Sequence, residues 1–176
     1  EHGVRGNMQA GAKVTEYIDD ATGITVCSFY GDGKIRANEI MASLDCIFFD
    51  IQDIGARFYT YQYTMTDAMI VCARAGVRFA VLDRPNPIGG EKIEGEILDE
   101  RFSSFIGEFA IPTRYGMTVG EYARYVNAEK GIGCQLKVIE CVGWERHMYA
   151  DQTDMLFVNP SPNIPSVGCA INYIAT

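Results

Sequence analysis

Cys46-Ile47-Phe48-Phe49 is an unbroken apolar run that leads directly into Asp50-Ile51-Gln52-Asp53. Such a run is typical of a strand buried in a parallel sheet. A second apolar run, over Val77–Leu82, leads in the same way into Asp83-Arg84-Pro85-Asn86. Because ligands bind beyond the carboxyl ends of strands in open parallel sheets, both polar segments are expected to face one crevice.

Helical patterns alternate with these strands along the chain. Thr118-Val119-Gly120-Glu121 is a capping box, and Thr64-Met65-Thr66-Asp67 resembles one with Asp in place of the usual Glu. Gly76 and Gly131 are the predicted helix stops. The remaining expectations are helices over 35–44, 65–75 and 118–130, strands over 24–29 and 136–142, and long loops over 84–111 and 155–168. Alternation of this kind predicts an α/β fold with a parallel sheet and right-handed crossovers.

Composition narrows the function classes. The 176 residues are 48% hydrophobic and carry a net charge of −8 with no run of basic residues, so nucleic acid is not an expected partner. No apolar run approaches the roughly 20 residues that span a bilayer, so no membrane insertion is expected in this segment. The six cysteines include no Cys-x-x-Cys pair and are expected to be free thiols.

The segments after the two strands supply carboxylates, guanidinium groups, amides and tyrosines. Each has a structural alternative: Asp50 and Asp83 could cap turns, Arg57 and Arg84 could pair with aspartates, and tyrosines 59 and 61 could be core aromatics. The sequence contains no Gly-x-Ser-x-Gly, phosphate-binding loop or His-Glu-x-x-His motif. Carboxylate chemistry remains, either as general acid and base or as oxygen ligands to a metal.

Five blocks of the sequence, in order, resemble the exo-β-N-acetylmuramidases of the NamZ type, a glycoside hydrolase family. The resemblance covers essentially the whole chain. The blocks are Glu1-His2-Gly3-Val4-Arg5-Gly6, Phe49 to Tyr61, Leu82 to Gly89, Arg114 to Glu121, and Pro160-Ser161-Pro162-Asn163-Ile164-Pro165.

The resemblance implies a Rossmann-like, three-layer α/β domain followed by a smaller second domain. Residues 1–150 are then the catalytic domain without its first strands, and 151–176 are a Pro-rich connection and the start of the second domain. The chain is therefore expected to be a fragment. The implied activity is release of terminal N-acetylmuramic acid from peptidoglycan-derived saccharides, and no cofactor is implied.

Glycoside hydrolysis needs a carboxylic acid that protonates the leaving oxygen and a second carboxylate. By resemblance, Glu1 is the expected acid, and His2 orients it or contacts the sugar. Asp53 is preferred to Asp50 as the second carboxylate.

Substrate binding is assigned to residues near the strand ends. An arginine grips a carboxylate with two parallel hydrogen bonds, so Arg57, Arg84 or Arg114 is expected to bind the lactyl group of muramic acid, with Arg57 favoured. The pyranose is expected to lie against Tyr59 or Tyr61. Gln52 and Asn86 are expected to hold hydroxyl or acetamido groups.

Two other functions fit the sequence. A magnesium-dependent phosphohydrolase would use Asp50, Asp53 and Asp83 as metal ligands. A non-catalytic cell-wall glycan-binding module would keep the aromatic residues and arginines without depending on Glu1. The resemblance implies a periplasmic or extracellular location, whereas free cysteines and no visible signal peptide leave the cytoplasm open. The sequence does not indicate an oligomeric state.

Glu1→Gln tests the expected general acid in the full-length protein. Turnover of an unactivated muropeptide should fall about 10²–10⁴-fold, because only a protonated carboxyl assists a poor leaving group. Substrate affinity, measured by calorimetry, should stay within a few-fold. If the variant keeps more than about a tenth of the wild-type turnover, Glu1 is not the acid.

Overall fold

The computed structural model describes residues 4, 6, 8–9, 15–31 and 33–175. Its five strands are β1 (Tyr17–Ile18), β2 (Thr25–Val26), β3 (Cys46–Phe49), β4 (Arg78–Leu82) and β5 (Leu136–Ile139). Its four α-helices are α1 (Gly33–Ala42), α2 (Tyr61–Ala75), α3 (Val119–Glu129) and α4 (Val167–Tyr173). Short 3₁₀ turns lie at Glu100–Phe102 and Ala150–Gln152. Within these ranges, no helix is both long and apolar enough to cross a bilayer.

The main sheet is parallel, with the strand order β3-β4-β5, which confirms the predicted α/β class. Phe49 lies opposite Val81, and Val81 lies opposite Val138. Helix α2 connects β3 to β4, and α3 lies between β4 and β5 in the chain. The carboxyl ends of all three strands therefore meet at one edge of the sheet.

The two faces of the sheet differ in burial. Phe49, Val81 and Val138 point to one face and are buried in the main core with side chains of α2 and α3. On the opposite face, Phe48 is 64% exposed and Lys137 is exposed. The expected burial of β3 therefore holds for Phe49 and not for Phe48, because successive strand residues alternate between the two faces.

A second apolar cluster holds the C-terminal segment. Ile54 and Ile88 from the loops after β3 and β4 pack with Ile164 and Ala170 from the Pro-rich segment and α4. All four residues are at most 2% exposed. This cluster fixes the loops of the sheet edge against the segment that runs from residue 160 to α4.

Two elements differ most from the sequence expectation, while α1 (expected over 35–44) and β5 (expected over 136–142) differ by two or three residues at their ends. The strand expected over 24–29 is only Thr25–Val26, and it pairs antiparallel with β1 outside the main sheet. Helix α2 begins at Tyr61, four residues before the expected Met65. Thr64 does not cap it, because the Thr64 hydroxyl donates to the Thr60 carbonyl oxygen at 3.3 Å, as threonine does within a helix. The expected stop at Gly76 is confirmed, with a positive φ of 71°.

The capping box of α3 is confirmed and joined to the sheet. The Thr118 hydroxyl accepts from the Glu121 amide at 3.2 Å, and the Glu121 carboxylate accepts from the Thr118 amide at 3.0 Å. The Thr118 hydroxyl also donates to Asp83 at 2.8 Å. Asp83 follows β4, so this contact ties the first turn of α3 to the end of a central strand.

Thr118→Ala should lower the free energy of unfolding of the full-length protein by about 1–2 kcal/mol, because both the helix cap and the contact with Asp83 are lost. Chemical denaturation of wild type and variant measures the difference. Thr118→Ser keeps the hydroxyl and is the matched control, expected to lose much less. Equal losses in the two variants would contradict the role given to the hydroxyl.

Candidate active site

Asp50 and Asp83 follow adjacent strands at the same edge of the sheet, as the sequence predicts. The parallel register places the end of β3 beside the end of β4. Arg84 spans the two strand ends, donating from Nε and Nη2 to Asp50 Oδ1 at 2.9 and 2.6 Å. The interpretation of Arg84 as an ion-pair partner is confirmed for this pair.

Gln52 and Asn86 join the two loops that follow these strands. Gln52 Nε2 donates to the carbonyl oxygens of Asp53 and Pro85 at 2.7 and 3.1 Å. Asn86 Nδ2 donates to the Met117 carbonyl oxygen at 2.9 Å, and its Oδ1 accepts from the Ile88 amide at 3.1 Å. Gln52 therefore contacts the residue that precedes Asn86, so the two loops lie side by side. Asn86 is 3% exposed, so its amide is committed to the loop backbone.

Gly55 allows these loops to approach closely. Its φ is 76°, and a Cβ atom placed there would lie 2.5 Å from Asn86 Oδ1. Glycine alone satisfies both conditions at low cost, because it adopts positive φ readily and carries no side chain.

Asp53 follows β3 but is buried, so its side chain is not exposed at the carboxyl edge of the sheet. The residue is 5% exposed, and its Oδ2 accepts from the Gly55 amide at 2.9 Å and from the Tyr115 hydroxyl. Its Oδ1 is buried without a hydrogen-bond partner among the described residues. Burial raises the pKa of Asp53, and the hydrogen bond from Tyr115 opposes that rise. The role of Asp53 as the second catalytic carboxylate stays a prediction, and its burial in this structure does not favour it.

Asp83 anchors the first turn of α3. Its Oδ1 accepts from the Gly120 amide at 2.7 Å and from the Arg84 amide at 3.0 Å. Burial raises the pKa of Asp83, and the bonds from Gly120, Thr118 and Arg84 oppose the rise. Asp83 therefore acts as a cap, but mainly for the first turn of α3 and not for the turn that follows its own strand.

The other two candidate arginines lie in different surroundings. Arg57 Nη1 donates to the carbonyl oxygens of Glu96 and Ile111 at 2.7 and 2.9 Å. Within the described ranges it forms no ion pair, so the alternative in which Arg57 pairs with an aspartate is not supported. Arg114 is 8% exposed, donates to the Glu94 carboxylate at 2.6 Å and contacts the Ile88 carbonyl oxygen.

Tyr59 and Tyr61 are core residues. They are 8% and 9% exposed, with ring centroids 5.0 Å apart, and both hydroxyls donate to the Pro160 carbonyl oxygen at 2.9 Å. The expected contact of a pyranose with these rings stays a prediction, and their packing under the Pro-rich segment does not favour it. The alternative of core aromatics is the one that the geometry supports.

A cavity of about 410 Å³ opens at the carboxyl edge beside Asp83. Sequence reasoning missed most of its lining, since the loop after β5 carries no recognisable motif. The signal that was available is Trp144, the one tryptophan of the chain, placed shortly after the last strand. The polar and apolar side chains that line the cavity include Asp83, Cys141, Trp144, Met148, Gln152 and Asp154.

The three aspartates proposed as metal ligands point to separate partners. Asp50 pairs with Arg84, Asp53 binds Tyr115, and Asp83 caps α3. Among the residues that the structure describes, no three His, Cys, Asp or Glu side chains form a group suited to a metal ion. The predictions for Glu1 and His2 lie outside the described residues.

The protein is an α/β domain with polar side chains and a cavity beyond the carboxyl ends of its parallel strands, the place where open parallel sheets bind ligands. The chain matches the family described as "Exo-beta-N-acetylmuramidase NamZ, N-terminal" over residues 1–168. The chain therefore belongs to this family, as its five sequence blocks predict.

Relatives of known name and structure agree. The chain is 49% identical over all 176 residues to the peptidoglycan beta-N-acetylmuramidase NamZ of Bacillus subtilis strain 168, of which it covers 42%. It also resembles crystal structures of two DUF1343 family proteins from Bacteroides fragilis NCTC 9343. One is 41% identical with a TM-score of 0.87 over 98% of this chain and 44% of that one. The other is 35% identical with a TM-score of 0.75 over 89% and 43%. The chain thus spans less than half the length of these relatives.

Asp53 should make the stability of the full-length protein depend on pH. Its pKa is raised in the folded state, so the folded protein binds this proton more tightly than the unfolded chain. The contribution of Asp53 is therefore most favourable at low pH and falls as pH rises from its ordinary value of 3.8 through the raised value. Chemical denaturation at several pH values should show that the free energy of unfolding declines less with rising pH in Asp53→Asn than in wild type.

Tyr115→Phe is the matched variant for this measurement. It removes the hydrogen bond that opposes the pKa rise, so the decline with pH should extend to higher pH than in wild type. Parallel stability curves for wild type and Asp53→Asn would contradict the burial argument.

Proposed function

We propose that the protein of which this chain is part is an exo-acting β-N-acetylmuramidase. It releases terminal N-acetylmuramic acid from peptidoglycan fragments. The observation that carries the proposal is 49% identity over the whole chain to a peptidoglycan beta-N-acetylmuramidase, within the NamZ family. The crevice at the carboxyl edge, with Asp50, Asp83 and the cavity beside them, supports binding of a polar ligand there.

The chemistry is acid catalysis by a carboxyl group. Glu1 opens the family block and is the proposed acid, with His2 beside it in sequence. Asp50 is the proposed second carboxylate, because its side chain is 51% exposed at the edge whereas Asp53 is buried. Gln52 and Asn86 hold the two edge loops together and position the residues around them.

The decisive experiment assays the full-length protein on a chromogenic β-glycoside of N-acetylmuramic acid. The matching N-acetylglucosamine glycoside is the control, expected to react far more slowly. Activity should persist in excess chelator, whereas loss of activity with rescue by magnesium would favour a metal-dependent hydrolase. Binding of muropeptide without hydrolysis would instead favour a glycan-binding module.

We also propose that the enzyme acts in the periplasm or outside the cell. The support is the name of the relative, since intact peptidoglycan, the polymer in that name, lies outside the cytoplasmic membrane. Fractionation of cells that produce the full-length protein tests this, and recovery in the cytoplasm alone would overturn it.

Arg57 is the residue that we propose for the lactyl carboxylate. Arg84 and Arg114 already pair with Asp50 and Glu94, whereas Arg57 contacts carbonyl oxygens. The positive charge of a guanidinium that has no carboxylate partner is not neutralised within the protein, so it can bind an anionic ligand.

Arg57→Lys should weaken muramic acid substrates by roughly 1.5–3 kcal/mol, because it keeps the charge but loses the planar fork. The slow reaction on the glucosamine analogue should change much less. Comparison of kcat/KM for the two sugars measures the difference. Equal losses on both would mean that Arg57 only braces the loop through Glu96 and Ile111.

A further inference from the structure

The cavity at the carboxyl edge has the lining of a sugar site. Its apolar side chains include Pro85, Trp144 and Met148, and its polar side chains include Gln152 and Asp154. A volume of about 410 Å³ lies within the range of small-molecule sites. A pyranose ring combines hydrocarbon faces with hydroxyl groups around its rim, so it matches a wall that is aromatic on one side and polar on the other.

Trp144 is held in place before any ligand arrives. Its indole N–H donates to the Met148 carbonyl oxygen at 3.2 Å, so the surface left for a ligand is the carbon framework of the ring. The loop that carries it is fixed to the loop after β4: the Gly90 amide donates to the Arg146 carbonyl oxygen at 2.7 Å, and the Ala150 amide donates to the Pro87 carbonyl oxygen at 3.0 Å. An aromatic side chain fixed in this way loses little conformational entropy on binding.

The polar side of the cavity has groups left to bind hydroxyls. Gln152 Oε1 accepts from the Tyr149 amide at 2.8 Å, which leaves its Nε2 as a donor. Asp154 is exposed and forms no hydrogen bond or ion pair with another described residue. A carboxylate is a strong acceptor for sugar hydroxyls.

The charge of the lining selects among sugars. Asp83 and Asp154 contribute carboxylates, and neither Lys nor Arg is among the described residues that line the cavity. A muramic acid ring carries a carboxylate on its lactyl group, which these two aspartates would repel. An N-acetylglucosamine ring is uncharged and has the same hydroxyl and acetamido chemistry.

We infer that this cavity binds the uncharged N-acetylhexosamine ring that adjoins the released muramic acid, with Trp144 as its aromatic wall and Asp154 and Gln152 as its hydrogen-bonding partners. The inference rests on the proposed function for its substrate, but the binding of the sugar ring can be tested separately. The ring makes no covalent bond to the cavity, so these residues bind and do not react.

The first test uses the thiol of Cys141, which lines the cavity. Burial raises the pKa of Cys141, so the full-length protein is alkylated with iodoacetamide at alkaline pH and the modified peptides are quantified by mass spectrometry. Methyl β-N-acetylglucosaminide should slow alkylation of Cys141 about fivefold or more at saturation. Free N-acetylmuramic acid at the same concentration should protect it less.

Cys27 is the control thiol, because it lines a different cavity with Phe29 and Met41 and should be modified equally with and without sugar. Equal alkylation of Cys141 with and without the glucosaminide would overturn the inference. Better protection by muramic acid would overturn the proposed selection by charge.

The second test compares two substrates of the full-length protein. Trp144→Ala should lower kcat/KM for a disaccharide of muramic acid and N-acetylglucosamine about tenfold. The kcat/KM of the variant for a β-muramyl fluoride should stay within about twofold of the wild-type value, because fluoride is a leaving group with no sugar ring. Trp144→Phe should recover part of the lost kcat/KM. Phe102→Ala is the control, at an aromatic residue that is 71% exposed outside the cavity, and it should change kcat/KM for neither substrate.

The outcomes separate this inference from the proposed function. Suppose that the wild-type protein hydrolyses both substrates. If Trp144→Ala then hydrolyses the disaccharide as fast as wild type, or loses the same activity on both substrates, the inference alone is overturned. A wild-type protein that hydrolyses neither substrate overturns the proposed function, and protection of Cys141 then still decides whether the cavity binds the sugar.

Discussion

The contact between Asp83 and the first turn of α3 is the constraint on which the sheet edge depends. Asp83 ends the central strand β4, and its carboxylate accepts from the Gly120 amide at 2.7 Å. The approach is so close that a Cβ atom on Gly120 would lie 2.6 Å from the Asp83 carboxyl carbon. The carboxylate also complements the positive end of the helix, where amide groups have no partner within the helix. Strand, helix and cavity wall are thereby held by one side chain.

Burying carboxylates at this edge is electrostatically unfavourable, and nearby hydrogen-bond donors offset part of that penalty. Asp53 and Asp83 both have raised pKa values because burial disfavours their charged forms. Hydrogen bonds from the Tyr115 and Thr118 hydroxyls and from backbone amides oppose that effect. Carboxylates whose pKa is shifted by burial cluster at functional sites, although structural networks shift pKa values as well. In this chain they position the loops, while Asp154 and Asp50 remain at the surface of the crevice.

The separation between structural and ligand-facing groups follows from the loops. Three polar residues of these segments join loops that are neighbours in space through side-chain hydrogen bonds: Arg84, Asn86 and Gln52. This role explains the dense polar sequence after the strands. Tyr59 and Tyr61 occur in the same dense sequence, but their rings lie under the Pro-rich segment. Family membership accounts for the blocks as a whole, and the structure shows which polar residues of the blocks at 49–61 and 82–89 hold the loops together.

The sequence by itself determined the α/β class, the parallel strands and the shared edge after Phe49 and Leu82, because apolar runs, helix caps and glycine stops act over a few neighbouring residues. It also determined the family, since five blocks in order carry that information. Tertiary structure alone decided which polar residues are buried and which face the crevice. Asp53 meets Tyr115 across 62 positions, and Tyr59 meets Pro160 across 101. No local pattern reports contacts over such separations, so burial of Asp53 and the cavity wall at Trp144 follow only from how the distant loops pack together.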